Sequence, residues 1–478
     1  MRTGNNCAGK TMLHEKTFHR LFSVNFYKDL KLHLGKLSFT KDFVNEKKGD
    51  IYPIINQNNA EERIEDNRYM LCGGMSERLL GAFFPYATYE LNFETKKGSI
   101  GFVFHFGDKT AEVFYENESV ICLTDGIKSE YKTDANITSL IVSCRPTAFD
   151  VYTTKNGSAK FLCTFSSNDF SDSARYEKFS KAFVSFKALG VVNVFSGSFY
   201  MDCGISQADM RPIRFENGSP YIENGKVFLT MSLRLQEKYV QGILSWVPGT
   251  AEFALVGVLF FDAGDGVWAN DTASSLIFNR KTNEWNIWIP SFNHGHILGH
   301  ASFGGDPRYG VNVVDIQLMD TKNEKNITEF YGMEGDEDPD FIFDEKTNKW
   351  YMAFCRLEPV TRAYRYVFFE SDHPFENYKY IGTGIDGCET GGSFQYINNE
   401  LHFICGNSFK EISDYRIYDR NGMNKPKFDF PDGGFRGWGC VIPISFGSRT
   451  KYFWITFDRS CGSDYNWSYG NLYCFVAE

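Results

Sequence analysis

The feature that most constrains the fold of this chain is a loose repeat that starts near residue 200. Five times an acidic residue, or a glycine beside tryptophan, precedes an apolar run, and a turn then leads to a second run rich in aromatic residues. Successive starts lie roughly 50–65 residues apart, which suits four-stranded propeller blades with long loops. The repeat therefore predicts a five-bladed β-propeller. The five units begin at Asp209, Asp271, Asp338, Glu389 and Gly437.

The propeller geometry predicts where the acidic residues of the repeat meet. The innermost strand of each blade begins near a shared axis, so side chains at those beginnings converge although they are far apart in sequence. We therefore expect Asp209, Asp338 and Glu389 to surround one pocket. The long stretches 234–268 and 290–337 are expected to be loops that shape it.

The remainder of the chain also indicates an all-β protein. Short apolar or alternating runs are cut by Gly, Asn and Asp, helical periodicity is almost absent, and aromatic residues reach 17%, which favours strands. The segment 18–170 resembles a laminin-G or concanavalin-like β-sandwich, an accessory domain that either binds sugar or is purely structural. We expect 171–200 to be a connector with a helix in its first part, and 201–478 to be the propeller.

Composition excludes several partner classes and suggests a compartment. The net charge is −10 without a basic block, which argues against a nucleic-acid partner. The sequence contains no run of eighteen apolar residues, so a membrane-spanning helix is not expected. The twelve Cys lack CxxC spacing, so buried thiols are expected rather than disulfides or metal fingers. Because Met1 to Lys16 lacks an apolar core, the expectation is a cytoplasmic protein, unless the chain is trimmed from a secreted one. The oligomeric state stays open.

Three motifs carry a resemblance to a known family over residues 205–478. They are Ala208-Asp209-Met-Arg-Pro, Glu337-Asp338-Pro339-Asp340 and Glu389-Thr-Gly-Gly-Ser. In this order they resemble the five-bladed glycoside hydrolases of family 43 and its relatives, the arabinanases, β-xylosidases and α-L-arabinofuranosidases. The chain departs from the family's Asp-Pro and Glu-Gly-Pro patterns at the first and third motifs, which leaves the sugar and linkage open.

The resemblance implies a role for each carboxylate. Asp209 would be the general base, Glu389 the general acid, and Asp338 the residue that orients the acid and tunes its pKa. Glycoside cleavage requires a protonated acid at the leaving oxygen and an ionised carboxylate on the other face of the sugar. The implied reaction is inverting hydrolysis of a furanoside or pentoside. Asp340 replaces Asp338 if the strand register is shifted by two residues.

Other polar residues near the repeat starts are candidates for binding the substrate. Arg211 and Arg436 are predicted to bind sugar hydroxyls or pair with the carboxylates. Trp438 forms a sugar platform or closes a blade, and Asp271 is a binding or a turn residue. His296 and His300 are loop residues or, as in some relatives, lie beside an axial water cluster or calcium. No cofactor is expected to be required, and a structural calcium on the axis is the one ion that the resemblance allows.

Two alternative functions share the same fold. The first is a non-catalytic carbohydrate-binding propeller, in which the carboxylates only hydrogen-bond sugar hydroxyls. The second is a propeller glycoside phosphorylase, which requires a cluster of Arg, Lys and His for inorganic phosphate that the sequence does not show. No phosphate-cradling glycine loop or G-x-S-x-G motif is present.

Overall fold

The computed structural model describes residues 12–24, 30–37, 39, 56–57, 60–202, 206–235, 238–319, 334–358, 361–384, 388–407, 415–419, 421–429, 435–458 and 471–478. Helical turns occur at Leu13–Glu15, Asn168–Phe170, Tyr176–Phe179 and Phe292–His294. None of the helices described is long and apolar enough to cross a membrane. The strands of the first half of the chain are β1 (Thr17–Val24), β2 (Lys31–Lys36), β3 (Asn56–Gln57), β4 (Glu62–Glu65), β5 (Arg68–Leu71), β6 (Met75–Ala82), β7 (Thr88–Phe106), β8 (Lys109–Glu116), β9 (Ser119–Thr124), β10 (Ile127–Lys132), β11 (Ser139–Arg145), β12 (Ala148–Lys155), β13 (Ser158–Ser166) and β14 (Phe183–Asp202).

The remaining strands all belong to the repeat region. They are β15 (Ser206–Pro212), β16 (Arg214–Phe215), β17 (Ile222–Glu223), β18 (Lys226–Leu235), β19 (Lys238–Trp246), β20 (Phe253–Asp262), β21 (Ser275–Asn279), β22 (Glu284–Ser291), β23 (Ile297–Phe303), β24 (Gly310–Asp315), β25 (Gln317–Met319), β26 (Glu334–Asp344), β27 (Lys349–Glu358), β28 (Ala363–Ser371), β29 (Lys379–Thr383), β30 (Glu389–Ile397), β31 (Glu400–Asn407), β32 (Tyr415–Asp419), β33 (Gly422–Asn424), β34 (Lys427–Asp429), β35 (Phe435–Phe446), β36 (Arg449–Asp458) and β37 (Leu472–Ala477).

The chain divides into two compact units. One comprises Lys31–Asp202 with Gly266–Trp268, and the other comprises Met1–Leu30, Cys203–Asp265 and Ala269–Glu478. These limits differ from the predicted domains 18–170, 171–200 and 201–478: the predicted connector 171–200 falls within the N-terminal unit, and residues 18–30 fall within the other unit. The segment predicted as a connector contains β14, a strand of 20 residues, and only one turn of α-helix at Tyr176–Phe179.

The N-terminal unit is built on two long antiparallel strands. β14 pairs with β7 from Phe183 opposite His105 to Tyr200 opposite Thr88, and shorter strands extend the sheet on both sides. Alternate residues of β7 and β14 are apolar and buried, which is the pattern that burial of one sheet face requires. Phe104 and Phe149 pack with their ring centroids 4.9 Å apart. The unit is all-β, and its form as a sandwich stays a prediction.

The second unit is a five-bladed β-propeller, which confirms the predicted fold. Its sheets are β15-β18-β19-β20-β24, β16-β21-β22-β23-β25, β26 to β29, β30 to β33, and β34-β1-β37-β36-β35, and we number the blades 1 to 5 in this order. The stretches predicted as long loops, 234–268 and 290–337, supply the outer strands of blades 1 and 2. Tight turns such as Asn398-Asn399, both with positive φ, link inner strands to the next strand as hairpins require.

The first strand of the chain completes the last blade. β1 pairs antiparallel with β37, with His19 opposite Val476. Thr17–Val24 therefore belongs to the propeller and not to the N-terminal unit, which corrects the predicted start of the sandwich at residue 18. Buried apolar clusters fill the space between adjacent blades; that between blades 2 and 3 includes Ile277, Trp288 and Phe341.

Candidate active site

The innermost strands of three blades share one irregularity near their beginnings. Pairing with the neighbouring strand skips between Ala208 and Arg211 in blade 1, between Glu337 and Asp340 in blade 3, and between Thr390 and Ser393 in blade 4. Each is a β-bulge, which bends the strand and redirects a side chain. The first bulged residue has a left-handed backbone in every case: Asp209 (φ 52°), Asp338 (φ 51°) and Gly391 (φ 60°).

The bulges define which residues of different blades are equivalent. Asp209, Asp338 and Gly391 occupy one position, and Ala273 (φ 68°) takes it in blade 2. Glu389 lies two residues before its bulge and is therefore not equivalent to Asp209 and Asp338. The sequence repeat aligned Asp271 and Glu389 with these two aspartates, and the structure corrects that alignment by two residues. The position two residues before the bulge is held by Gln207, Asp271, Asp336 and Glu389, all of which are buried.

Asp209 lies on the bulge of blade 1 with one carboxylate oxygen engaged. Ser232 Oγ donates to its Oδ2 at 2.6 Å, and Ala273 N donates to that hydroxyl at 3.2 Å. The residue is 8% exposed. Oδ1 has no partner among the residues that the structure describes, so this oxygen is available to accept a proton.

Asp338 lies on the equivalent bulge of blade 3 and close to Asp209. Gly391 N donates to its Oδ2 at 2.8 Å, and Arg211 Nη2 lies 3.7 Å from its Oδ1. Burial, and after it the negative charge of Asp209, raise the pKa of Asp338 to about 7, although Arg211 opposes the shift. The structure thus brings Asp209 and Asp338 together, and it favours the protonated form of Asp338 up to neutral pH.

Glu389 is completely buried at the start of β30. Arg416 Nη1 donates to its Oε1 at 2.9 Å, and the Tyr418 hydroxyl donates to the same oxygen. Oε2 has no hydrogen-bond partner and lies so close to Gly384 that a Cβ at that glycine would be 1.8 Å away. Burial raises the pKa of Glu389, and the Tyr418 and Arg416 hydrogen bonds oppose the rise. The ion pair with Arg416 leaves Glu389 fully covered, against the expectation that all three carboxylates line one open pocket.

Arg211 forms the floor beneath the two aspartates and does not line an open pocket. It is 2% exposed, and its Nε and Nη1 donate to the carbonyls of Gly392 at 3.0 Å and Ala273 at 2.7 Å. One guanidinium therefore joins blades 1, 2 and 4 and faces Asp338 of blade 3. The predicted pairing with a carboxylate is observed, whereas a direct contact with sugar hydroxyls does not fit this burial.

A second arginine fills the axis below. Arg214 Nη2 donates to both carboxylate oxygens of Asp340 at 2.6 Å, and Phe394 N donates to Asp340 Oδ2 at 2.5 Å. The Ser275 hydroxyl donates to Oδ1. Asp340 is fully buried and saturated with donors, so the register alternative that replaced Asp338 with Asp340 is wrong.

Asp271 anchors a loop instead of facing a pocket. Phe292 N donates to its Oδ1 at 3.0 Å and Ser291 Oγ to its Oδ2 at 3.2 Å. Burial raises its pKa to about 6, and these hydrogen bonds oppose the rise. The structure thus supports the turn role among the two predicted for Asp271 and not contact with substrate.

The two candidate histidines have different environments. His296 Nε2 lies 3.0 Å from Glu337 Oε1, and the Tyr364 hydroxyl donates to the same oxygen at 2.7 Å, so His296 is joined to the neighbour of Asp338. His300 stacks on Phe375 with ring centroids 4.7 Å apart, and burial lowers its pKa to about 4. His300 is therefore a packing residue of strand β23 and not an axial one.

The described residues do not fit a calcium ion on the axis. Calcium takes six to eight oxygen ligands, whereas the cluster of potential ligands that the described residues form, Glu337, Asp338 and Cys355, has three members and includes a thiol. The cationic side chains of Arg211 and Arg214 occupy the axis itself. Arg436 and Trp438 lie in β35, but their side chains are outside the described part of the structure.

Sequence reasoning missed the residues that hold Glu389. Arg416 and Tyr418 alternate on β32, so they point to the same face of blade 4. The available signal in the sequence was that polar side chains, Arg416 and Tyr418, alternate along the largely buried third strand of blade 4.

The described cysteines include buried free thiols, as expected. One of them, Cys355, contacts the site, with its Sγ 3.8 Å from Asp338 Oδ2. Others are Cys122, Cys163, Cys440 and Cys474.

No family model and no curated protein matches this chain. Among solved structures, it is similar to an exo-β-1,3-galactanase from Clostridium thermocellum (11% identity, 56% of this chain and 62% of that chain, TM-score 0.38). It is also similar to a family 43 β-1,3-galactosidase (11%, 56% and 93%, TM-score 0.37) and a family 117 glycoside hydrolase from Zobellia galactanivorans (10%, 57% and 84%, TM-score 0.39). The chain thus spans less than two thirds of the galactanase.

Proposed function

We propose that this protein is a glycoside hydrolase whose reaction takes place at the blade 1 and blade 3 bulges. The observation that carries the proposal is the pair Asp209 and Asp338. Two carboxylates from different blades lie close together at the axis, and one of them has a pKa raised to about 7. Acid–base cleavage of a glycosidic bond requires one carboxyl group that is protonated and one that is ionised. Bulges and left-handed aspartates, each strained by about 1–3 kcal/mol, are typical of functional sites.

The proposed roles follow from the free oxygen atoms. Asp209 Oδ1, which has no partner among the described residues, accepts a proton from the attacking water as the oxygen of that water bonds to the anomeric carbon. Glu389 donates a proton to the leaving oxygen as the glycosidic C–O bond breaks. Arg416 and Tyr418 donate to Glu389 Oε1, so Oε2 carries the proton in the neutral form. The side chains of Asp338 and Arg211 contribute to the electrostatic potential that acts on Asp209 and Glu389.

The proposed substrate is a furanoside or pentoside oligosaccharide, and the proposed outcome is inversion. This assignment follows the sequence resemblance, and the two rival functions are separated by experiment. A carbohydrate-binding propeller releases no product, and a phosphorylase turns over only with inorganic phosphate. Hydrolysis in phosphate-free buffer therefore excludes both.

The test is a panel of aryl glycosides, pentofuranosides first, assayed in phosphate-free buffer with Glu389→Gln and Asp209→Asn beside the wild type. If Glu389 is the acid, Glu389→Gln loses activity on substrates with poor leaving groups but retains it on dinitrophenyl glycosides, which leave without protonation. Asp209→Asn loses activity on both kinds. NMR of the first product anomer reads inversion or retention directly.

One result would overturn the role of Glu389 and leave the hydrolase intact. Because Glu389 is covered in this structure, Asp338 is the alternative donor, favoured by its pKa near 7 and its 5% exposure. If Asp338→Asn, and not Glu389→Gln, shows the loss that depends on the leaving group, the acid is Asp338. Absence of turnover across the whole panel overturns the proposal itself.

A further inference from the structure

A cavity lies at the opposite end of the blades from the bulges. It has a volume of about 460 Å³ and is lined by residues of blades 2 and 3. Phe343, at its wall, is on the same strand as Asp338 but five residues further along. At about 3.3 Å per strand residue, the two positions are roughly 16 Å apart. The cavity is therefore a separate site from the bulged aspartates.

Two buried amides face this cavity. Asn286 is 1% exposed, and its Oδ1 accepts from Ser302 Oγ at 2.9 Å. Asn279 is 5% exposed, and its Oδ1 accepts from Lys281 N at 3.1 Å. The Nδ2 of each has no partner among the described residues. The backbone N–H of Lys281 fixes the orientation of the Asn279 amide, because it can only donate. A flip of the Asn286 amide exchanges the donor for an acceptor but still leaves one polar atom without a partner.

The rest of the lining selects the chemistry of the ligand. Trp350, Phe343 and Phe375 form apolar walls, while Glu284, Lys281 and Asp372 provide charges of both signs at the mouth. An apolar ligand would leave the two amides unpaired, at a cost of about 1–3 kcal/mol for each. The mixed charges of the mouth provide no field that selects an ion of one sign. A neutral ligand with both hydroxyl groups and C–H faces satisfies the amides and the rings together.

We propose that this cavity is a secondary carbohydrate-binding site, which holds a neutral sugar unit of a polysaccharide away from the catalytic end. A ring wall with a few placed polar groups is the usual form of a small-ligand site. The choice of a carbohydrate as ligand rests on the proposed function. The cavity itself does not depend on that function, so binding and turnover are tested separately.

The experiment is affinity electrophoresis of the full chain in native gels containing soluble arabinan, arabinoxylan or galactan. Asp209→Asn is the background in every lane, so that no polysaccharide is consumed. We expect retardation by at least one polysaccharide, and an at least tenfold weaker affinity after Asn286→Leu. The matched control is Asn421→Leu, which replaces an exposed asparagine in a turn of blade 4 and should retain the full affinity.

A second variant guards against misfolding of the buried substitution. Ser302 is exposed at the rim, so Ser302→Trp fills the cavity from outside, and thermal unfolding verifies that each variant is folded. Unchanged retardation of folded Asn286→Leu and Ser302→Trp overturns the inference, as does the absence of retardation by all three polysaccharides. Loss of retardation in both variants, together with a wild type that hydrolyses no glycoside, supports this site and overturns only the proposed function.

Discussion

Two of the arginine–aspartate pairs among the described propeller residues, Arg214–Asp340 and Arg211–Asp338, differ in how completely their charges are hydrogen-bonded. Arg214 and Asp340 form a fully buried pair in which both carboxylate oxygens are hydrogen-bonded at 2.6 Å. Arg211 and Asp338 lie one layer nearer the bulges, and their closest atoms are 3.7 Å apart. The first pair satisfies its charges, whereas the second leaves Asp338 with a raised pKa and Arg211 Nη2 without a hydrogen bond.

The difference shows how one axis serves both architecture and chemistry. The pair of Arg214 and Asp340, whose carboxylate is completely hydrogen-bonded, stabilises the axis. The incompletely satisfied carboxylate of Asp338 can exchange a proton near neutral pH, because burial and the like charge of Asp209 both favour its neutral form. The two layers should therefore respond in opposite ways to the same substitution of aspartate by asparagine.

The largest expected effect is on catalysis at the bulge layer. Asp209→Asn should lower kcat/KM by about 10²–10⁴-fold, the usual contribution of a general base, while the thermal unfolding midpoint stays unchanged because the Ser232 hydroxyl can still donate to the amide oxygen. Steady-state kinetics and calorimetry measure the two quantities. A variant that unfolds at lower temperature with normal kcat/KM would place Asp209 with Asp340 as a structural residue.

The reverse is expected at the deeper layer. Asp340→Asn leaves the buried Arg214 guanidinium without its counter-charge, so the free energy of unfolding should fall by about 3–5 kcal/mol. Urea unfolding measures the change. Asp372→Asn is the matched control, because Asp372 pairs with Lys349 at the surface and its loss should produce no measurable change. A value for Asp340→Asn as small as the control's contradicts the architectural role.

A smaller effect distinguishes the two layers by pH. The pKa of Asp338 is about 7 in the folded chain and near its ordinary 3.8 when unfolded, so the contribution of Asp338 to stability is largest below pH 4 and is lost as pH rises to 7. Asp338→Asn removes this dependence. The variant should be more stable than the wild type at pH 8, by up to about 1.4 kcal/mol per unit of pKa shift, and equally stable near pH 4. Urea unfolding across this range is the measurement, and a difference independent of pH contradicts the shift.

The smallest expected effect concerns Arg416, which pairs with Glu389 and helps to cover it. Arg416 lowers the pKa of Glu389, so Arg416→Met should move the alkaline limb of the kcat/KM profile upward by about 1–3 pH units. Arg280→Met, which removes an arginine paired with Glu216 in blade 2, is the control and should leave the profile in place. An alkaline limb that does not respond to Arg416→Met assigns that limb to another group.

The repeat was sufficient to predict the propeller because each blade encodes the same inner-strand and hairpin pattern. The bulges were not predictable, since an extra residue in a strand is visible only in its pairing. For this reason the sequence aligned Asp271 and Glu389 two residues away from their true equivalents. Arg211 was predicted to bind sugar hydroxyls or to pair with the carboxylates, and its burial was not predictable, because an arginine beside a catalytic motif gives no sign that the backbone carbonyls of Ala273 and Gly392 will bind it.

The partners of Glu389 and the boundaries of the two units were also not predictable from the sequence. Arg416 reaches Glu389 from the third strand of blade 4, a contact that depends on tertiary packing and not on spacing. The predicted start of the N-terminal unit at residue 18 placed most of β1 in that unit. The structure pairs β1 with β37 instead.

The partnership of β1 with β37 has a consequence for synthesis. Roughly 450 residues of chain separate the two strands, and contacts of such long range form late because the intervening chain must first be brought together. During translation, β1 leaves the ribosome long before its partner exists, and the fifth blade stays open until β37 emerges. A ribosome that stalls before β37 is made thus releases a ring with an unpaired strand edge, which is the surface that invites association between nascent chains.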